Sequence, residues 1–339
     1  MRLYLFNKIK IFLNKKHTPM KNMTKLIKLT LIITTSVMMF SCSDNDDDTT
    51  PQDNSIAAIA SSNPEFTSLV AALDKADLVQ TLSQDGTYTV FAPTNDAFST
   101  FLTDNGFANL DAVPTAVLRE ILLNHVIGSV NYSTDLSTGY VKTLGKGSAS
   151  TTNTLSMYVN LNSGVTVNGI SVRLNGVSSV TAADISASNG VIHVVDAVIG
   201  LPTVVTHAAA NPNFTTLVGL LDGQGLVPTL DGTSSSPFTV FAPSNTAFTT
   251  FESQNPGTLA SLTSAQVTSV LTYHVVAGAN VLSSGIPTTP ITTFETGTFT
   301  IAGTVITDEA GRDTNIVAVD IQAANGVIHV TDNVLLPTL

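Results

Sequence analysis

Tryptophan is absent from this 339-residue chain, cysteine occurs once, and only 12% of positions are charged. A single thiol excludes a disulfide framework and any cysteine-built zinc site. The apolar run Leu29 to Phe40 covers 12 residues, against about 20 for a membrane-spanning helix. Basic residues are scarce too. Eight of the 14 lie in the first 41 residues, so six remain against 25 acidic ones and the charge beyond that leader is −19. Without a basic cluster to neutralise phosphates, nucleic-acid binding is excluded. Also missing are a Gly-x-Ser-x-Gly elbow, a phosphate loop, a dinucleotide fingerprint and any HxH or HExxH spacing, the local signatures of common hydrolase, nucleotide and zinc chemistry. What is present is 43% hydrophobic residues, enough for two domains each able to bury a core. Plentiful Ser, Thr, Ala, Val and Asn-Gly steps favour a β-rich exported protein.

The first 41 residues carry Arg2, Lys8, Lys10, Lys15, Lys16, Lys21, Lys25 and Lys28 and no acid. Basic residues, a short apolar run and then small residues describe a signal peptide over 1–41. Its length is unusual, and Met20 or Met23 would give a more ordinary start than Met1. The run ends in Met39-Phe40-Ser41-Cys42, which resembles the lipobox of bacterial lipoproteins, with Met39 in place of the preferred Leu. The resemblance implies acylation at Cys42 and a membrane anchor held by buried hydrocarbon, at about 0.8 kcal/mol per CH₂; the alternative is a chance thiol after a plain secretion signal. Residues 42–54, with Asp44, Asp46, Asp47 and Asp48, are too polar to bury apolar surface and read as a disordered acidic tether. They resemble the surface-export signal of Bacteroidota lipoproteins; the alternative is a solvated spacer on a periplasm-facing protein.

Beyond the tether the chain repeats itself. Asn63-Pro64-Glu65-Phe66-Thr67-Ser68-Leu69-Val70 returns as Asn211-Pro212-Asn213-Phe214-Thr215-Thr216-Leu217-Val218. Thr89-Val90-Phe91-Ala92-Pro93-Thr94-Asn95-Asp96-Ala97-Phe98 returns as Thr239-Val240-Phe241-Ala242-Pro243-Ser244-Asn245-Thr246-Ala247-Phe248. Asn124-His125-Val126 answers to Tyr273-His274-Val275, and Asp184-Ile185 with Asn189-Gly190-Val191-Ile192-His193-Val194 to Asp320-Ile321 with Asn325-Gly326-Val327-Ile328-His329-Val330. The offsets are 148, 150, 149 and 136, so copy two loses residues only in its last third. A unit of this length is a whole domain rather than a solenoid repeat. The expected domains are 55–202 and 203–339.

Phe66, Leu69, Val70 and Leu73 at helical spacing predict a first amphipathic helix over 64–73. Thr87 to Phe91 predicts a strand closed by Ala92-Pro93. Thr94 or Asn95 suits the cap of the next helix, and Pro114 the first turn of another that runs to His125. In copy two that helix opens on Thr263-Ser264-Ala265-Gln266, a capping-box pattern. Val165-Thr166-Val167 and Ile170-Ser171-Val172 around Asn168-Gly169 predict a hairpin. Val191 to Val195 and Val327 to Val330 are apolar on both parities and predict strands covered on both faces. Helices precede strands in each unit, an α+β class with a β-sandwich or small barrel.

The Thr-Val-Phe-Ala-Pro-(Ser/Thr)-Asn-x-Ala-Phe and Asn-Gly-Val-Ile-His-Val blocks resemble the signature boxes of the fasciclin (FAS1) family, in both copies and in the same order, and the intervening helix ending in Tyr273-His274 also matches. The resemblance implies two tandem FAS1 domains, each a wedge-shaped β-sandwich or barrel flanked by helices, and a role in adhesion or matrix contact. In animal relatives the Asp-Ile dipeptide and the Tyr-His motif are linked to integrin binding. The matching residues here are Asp184, Ile185, Asp320, Ile321, Tyr273 and His274, while Asn124-His125 departs in its first position. The other reading is that these residues pack.

His125, His193, His274 and His329 lack metal-site spacing and read as core histidines; His207, which does not repeat, receives no role. One repeated carboxylate per unit is not the pair that glycoside hydrolysis needs. The expectation is a non-catalytic, lipid-anchored outer-membrane or cell-surface protein without a cofactor or metal. Its partners would be an extracellular protein or glycan and the membrane. The alternative is a structural accessory of an outer-membrane uptake or assembly complex.

Overall fold

A computed structural model describes residues 53–161, 166–167, 170–232 and 234–339. The expected leader, Cys42, the tether up to residue 52 and the Asn168-Gly169 turn lie outside the described residues. Module one runs α1 (Ile56–Ser62), α2 (Thr67–Lys75), α3 (Val79–Ser83), β1 (Tyr88–Pro93), α4 (Asn95–Asp104), α5 (Thr115–Asn124), β2 (Val126–Ile127), β3 (Gly139–Gly147), β4 (Ser150–Asn160), β5 (Thr166–Val167), β6 (Ile170–Ser171), β7 (Arg173–Leu174), β8 (Ser178–Ala187) and β9 (Gly190–Val195). Module two repeats the plan with α6 (Val204–Ala210), α7 (Thr215–Gly223), α8 (Val227–Asp231), β10 (Phe238–Pro243), α9 (Asn245–Gln254), α10 (Thr258–Ser261), α11 (Ser264–Tyr273), β11 (Val275–Ala277), β12 (Ile291–Thr292), β13 (Thr298–Ala302), β14 (Val305–Thr307), β15 (Asp313–Ala323) and β16 (Gly326–Thr331).

Each module holds a seven-stranded sheet, ordered β2-β1-β9-β8-β7-β4-β3 in one and β11-β10-β16-β15-β14-β13-β12 in the other. The separation into helices first and strands second is therefore incomplete: β1 and β10 come from the helical half, yet they pair in parallel with β9 and β16 inside the sheet. This pairing explains the apolar runs. One face of β9 meets the helical core around Phe66, Phe98 and Leu118, and the other meets a second core around Phe91, Met157 and Leu174. Module two has the same two-sided arrangement. Every residue of β9 is buried. Each fully buried Phe, such as Phe91 or Phe241, contributes roughly 1.5–3 kcal/mol by leaving water.

The local readings need two adjustments, and the choice between two caps closes. The first helix is α1, not the 64–73 segment. Pro64 instead opens a 3-10 turn, Pro64–Phe66, before α2, with the Asn63 side chain accepting from Glu65 N as its cap. Pro114 is the N-cap of α5 rather than part of its first turn. Thr94, not Asn95, caps α4. Asn95 accepts from Ser68 N at 2.8 Å and donates to Pro64 O at 2.9 Å; Asn245 does the same with Thr216 N and Pro212 O. The capping box at Thr263 and Gln266 is formed, and β5 pairs with β6 antiparallel.

The two modules touch through backbone and side chains. Ala149 N donates to Ala324 O at 2.8 Å and Ala324 N to Pro202 O at 2.6 Å. Gln322 N donates to the buried Ser156 hydroxyl at 3.0 Å, and Lys142 Nζ to Asp320 O at 2.9 Å. The approach at Gly147 is so close that a Cβ there would lie 2.2 Å from Ala324 Cα.

Candidate functional site

The repeated polar residues converge on two constructions, each present in both modules. The first is built on a bulge. β8 shifts register between Ala182 and Ile185, and β15 between Ala318 and Ile321, which places Asp184 at φ 64° and Asp320 at φ 60°. Aspartate tolerates this left-handed conformation better than most residues. The Asp184 carboxylate accepts from Ser133 N at 2.7 Å and from Ser133 Oγ at 2.6 Å. Asp320 holds Ser283 in the same way, at 2.8 and 2.7 Å. Each Asp thus clamps a distant loop to the bulge. Ile185 is half-buried and Ile321 buried, both on the helical core of their module. The clamp's other half, Ser133 and Ser283, escaped the sequence reading, although the two serines sit at the 150-residue offset of the copies.

Beneath the clamp lie His193 and His329. His193 Nε2–H donates to Asn131 O at 2.9 Å, leaving Nδ1 to accept from Asp184 N at 3.3 Å. His329 Nε2–H donates to Val281 O at 2.9 Å. Both rings stack on a phenylalanine, Phe91 and Phe241, at 5.5 and 5.4 Å between centroids. Burial lowers both pKa values, opposed by the carbonyl bond and the neighbouring Asp.

The second construction joins helix to sheet. His125 Nδ1–H donates to Ile121 O at 2.7 Å, and because a carbonyl only accepts, Nε2 is the acceptor for Ile199 N at 2.9 Å. His274 bonds Val270 O and Leu335 N at the same 2.7 and 2.9 Å. Burial lowers the pKa of both to about 4, so the rings are neutral near pH 7. Tyr273 is buried; its hydroxyl donates to Thr298 O at 2.7 Å and accepts from Glu309 N at 3.2 Å. Burial, then the nearby Glu309, Asp308 and Glu295 carboxylates, push its pKa up to about 12. In module one Asn124 fills this position, donating to Gly200 O at 2.9 Å and accepting from Thr143 Oγ1 at 3.1 Å.

The six residues named from the Asp-Ile and Tyr-His motifs therefore do not form one site. Tyr273 and His274 are enclosed at the end of α11, while Asp184 and Asp320 lie on separate bulges. The two Asp positions are also unequal, since Lys142 of module one bonds the Asp320 carbonyl. No group of three or more metal-ligating side chains assembles among the described residues, and no described helix is long and apolar enough to cross a membrane.

His207 gains a place that the sequence reading had not given it. It is fully buried where the modules meet, its Nε2 3.3 Å from Gln322 O and its ring edge-on to Tyr140 at 5.4 Å. Tyr140 reaches across from β3 to donate to His207 O at 3.4 Å and to accept from Asn211 Nδ2 at 3.3 Å. Neither Tyr140 nor His207 recurs in the other copy, and that is the signal that would have found them: a large residue unique to one copy marks what the copies do to each other.

The fasciclin domain model matches the chain twice, over residues 64–202 and 212–337. Protein sll1483 of Synechocystis sp. is 37% identical over 144 residues, covering 42% of this chain and 72% of that protein. Immunogenic protein MPB70 of Mycobacterium bovis is 33% identical over 136 residues, covering 40% and 68% respectively. A solved FAS1 domain pair from the insect cell adhesion molecule fasciclin I aligns with a TM-score of 0.46 and 21% identity, covering 78% of this chain and 92% of that one.

Proposed function

The chain belongs to the fasciclin family through two tandem FAS1 domains, and on that premise we propose that it is a non-catalytic binding protein. It is held by an acylated Cys42 at the outer membrane or cell surface and contacts an extracellular protein or glycan. The observation that carries this reading is how the repeated polar residues are used. Asn95, Asp184, Asn189 and His125 each hold two chain segments together, and Asn245, Asp320, Asn325 and His274 do the same in module two. What the copies share is architecture, which leaves recognition to exposed surface. A charge of −19 beyond the leader disfavours polyanionic partners.

Two measurements test it. Cys42→Ser should move the protein from the membrane fraction to the supernatant; retention in the membrane would remove the lipid anchor from the reading. Beads carrying residues 55–339 should retain a subset of matrix proteins or glycans on an array, and each module deleted singly should weaken that retention. Binding to nothing on the array, with co-purification from cells of an outer-membrane transporter, would favour the accessory role instead.

A further inference from the structure

The helical layer of module two holds an apolar pocket. Between α7, α9, α10 and α11 lies a pocket of about 140 Å³. Leu220, Leu259, Leu262 and Val267 line it and are partly exposed, giving access from solvent, while Val270 and Val334 line it and are buried. The polar groups offer little. Thr216 is on the exposed side, and His274 has both ring nitrogens engaged by Val270 O and Leu335 N.

The chain itself shows why the space exists. The 149-residue offset that sets His125 opposite His274 also sets Leu118 opposite Val267, Ile121 opposite Val270 and Phe107 opposite Pro256. In module one Leu118 and Ile121 are core residues, and the partly buried Phe107 packs against the same cluster. Module two has therefore given up a methylene at each of two positions that line the pocket, Val267 and Val270. The replacements of Val113 by Leu262 and Ala72 by Leu220 return part of that volume toward the mouth. A dry cavity of about 150 Å³ lined by aliphatic and aromatic side chains is large enough for benzene.

We propose that this pocket is a binding site for a small, neutral aromatic molecule presenting one phenyl-sized ring. The class follows from the apolar lining and from a volume close to that of a dry cavity that admits benzene. A charged or strongly polar ligand would lose hydration without gaining a partner. This inference does not depend on the surface-binding reading, because the pocket lies within one module's helical layer.

The test titrates the full chain with benzene and follows methyl resonances. The expected result is saturable shifts confined to Leu220, Leu259, Leu262, Val267, Val270 and Val334, with phenol at least about tenfold weaker because its hydroxyl finds no free partner. The double variant Val267→Leu/Val270→Ile restores the module-one side chains. It should keep or raise the melting temperature and weaken benzene binding at least about tenfold by occupying the cavity. Shifts spread over both modules, shifts that do not saturate, or phenol binding as tightly as benzene would overturn the proposal. So would unchanged affinity in a folded double variant; the methyl map of the unmodified chain decides the matter if that variant does not fold.

Discussion

Lowering the pH from 7.5 to 5 should destabilise this protein steeply, before most of its carboxylates titrate. His125, His207 and His274 are enclosed, and burial lowers each pKa from 6.5 to about 4. The folded pKa is the lower one, so the unfolded chain binds protons more readily, and stability falls as pH drops from 6.5 and levels off near 4. At pH 5 the unfolded rings are almost fully protonated while the folded ones remain about nine-tenths neutral, which amounts to about 2 kcal/mol per ring. Three rings together approach the total stability of an ordinary domain, about 5–15 kcal/mol. Urea unfolding at half-unit pH intervals measures the slope, and the C2 proton shifts of the buried rings report their titration directly. His207→Phe preserves the edge contact with Tyr140 and removes one of the three, so it should lessen the loss by about a third. Stability that stays flat between pH 7.5 and 5, or buried rings titrating near 6.5, would refute the reasoning.

Three other perturbations follow from single contacts. Gly147→Val should part the modules, because its Cβ would lie 2.2 Å from Ala324 Cα; small-angle scattering should show a more extended chain, and amide exchange at Ala149 and Ala324 should accelerate. Gly190→Ala should abolish folding of module one, since the added carbon would lie 2.0 Å from Tyr88 O, and soluble yield with near-ultraviolet circular dichroism reads that loss. Asp184→Ala combines a strained positive φ with the loss of both bonds to Ser133, for about 2–4 kcal/mol in urea unfolding; Asp184→Gly relieves the backbone and should cost less.

Much of the architecture was legible because it is written twice. The offsets locate β1, β9, α4 and α5 and their partners, and the two-sided burial of β9 follows from Val191 to Val195 being apolar on both parities. Position along the chain misled where proximity in space decides. Asn189 does stand in the two-residue turn between β8 and β9, where Ala187 pairs with Gly190, but nothing local shows that its Oδ1 accepts from Ile56 N at 2.9 Å or that Gly190 packs against the Tyr88 backbone. α1 was missed because Ile56-Ala57-Ala58-Ile59-Ala60 has little amphipathic contrast. β3 and β4 are rich in Gly, Lys, Ser and Thr, and their register is set by pairing with each other rather than by a hydrophobic alternation. The clamp was half legible: Asp184 and Asp320 stood out by repetition, but nothing local connects Ser133 to a residue 51 positions away.

Repetition and function pull apart in this chain. A residue kept in both copies has the same surroundings in both only if those surroundings belong to the fold, and the clamps and core histidines meet that condition. The surface that the copies leave open differs between them, because one module covers part of the other: Lys142 bonds the Asp320 carbonyl. The exposed apolar side chains follow the same logic. Val317 and Val319, 59% and 43% exposed on one face of β15, stand where module one carries Thr181 and Ala183 at the 136-residue offset. Tyr132 is 40% exposed beside the Asp184 clamp, where module two has Leu282. Two copies of one domain thus present two different surfaces on a single joined body, and a partner that touches both would be held by contacts neither module makes alone.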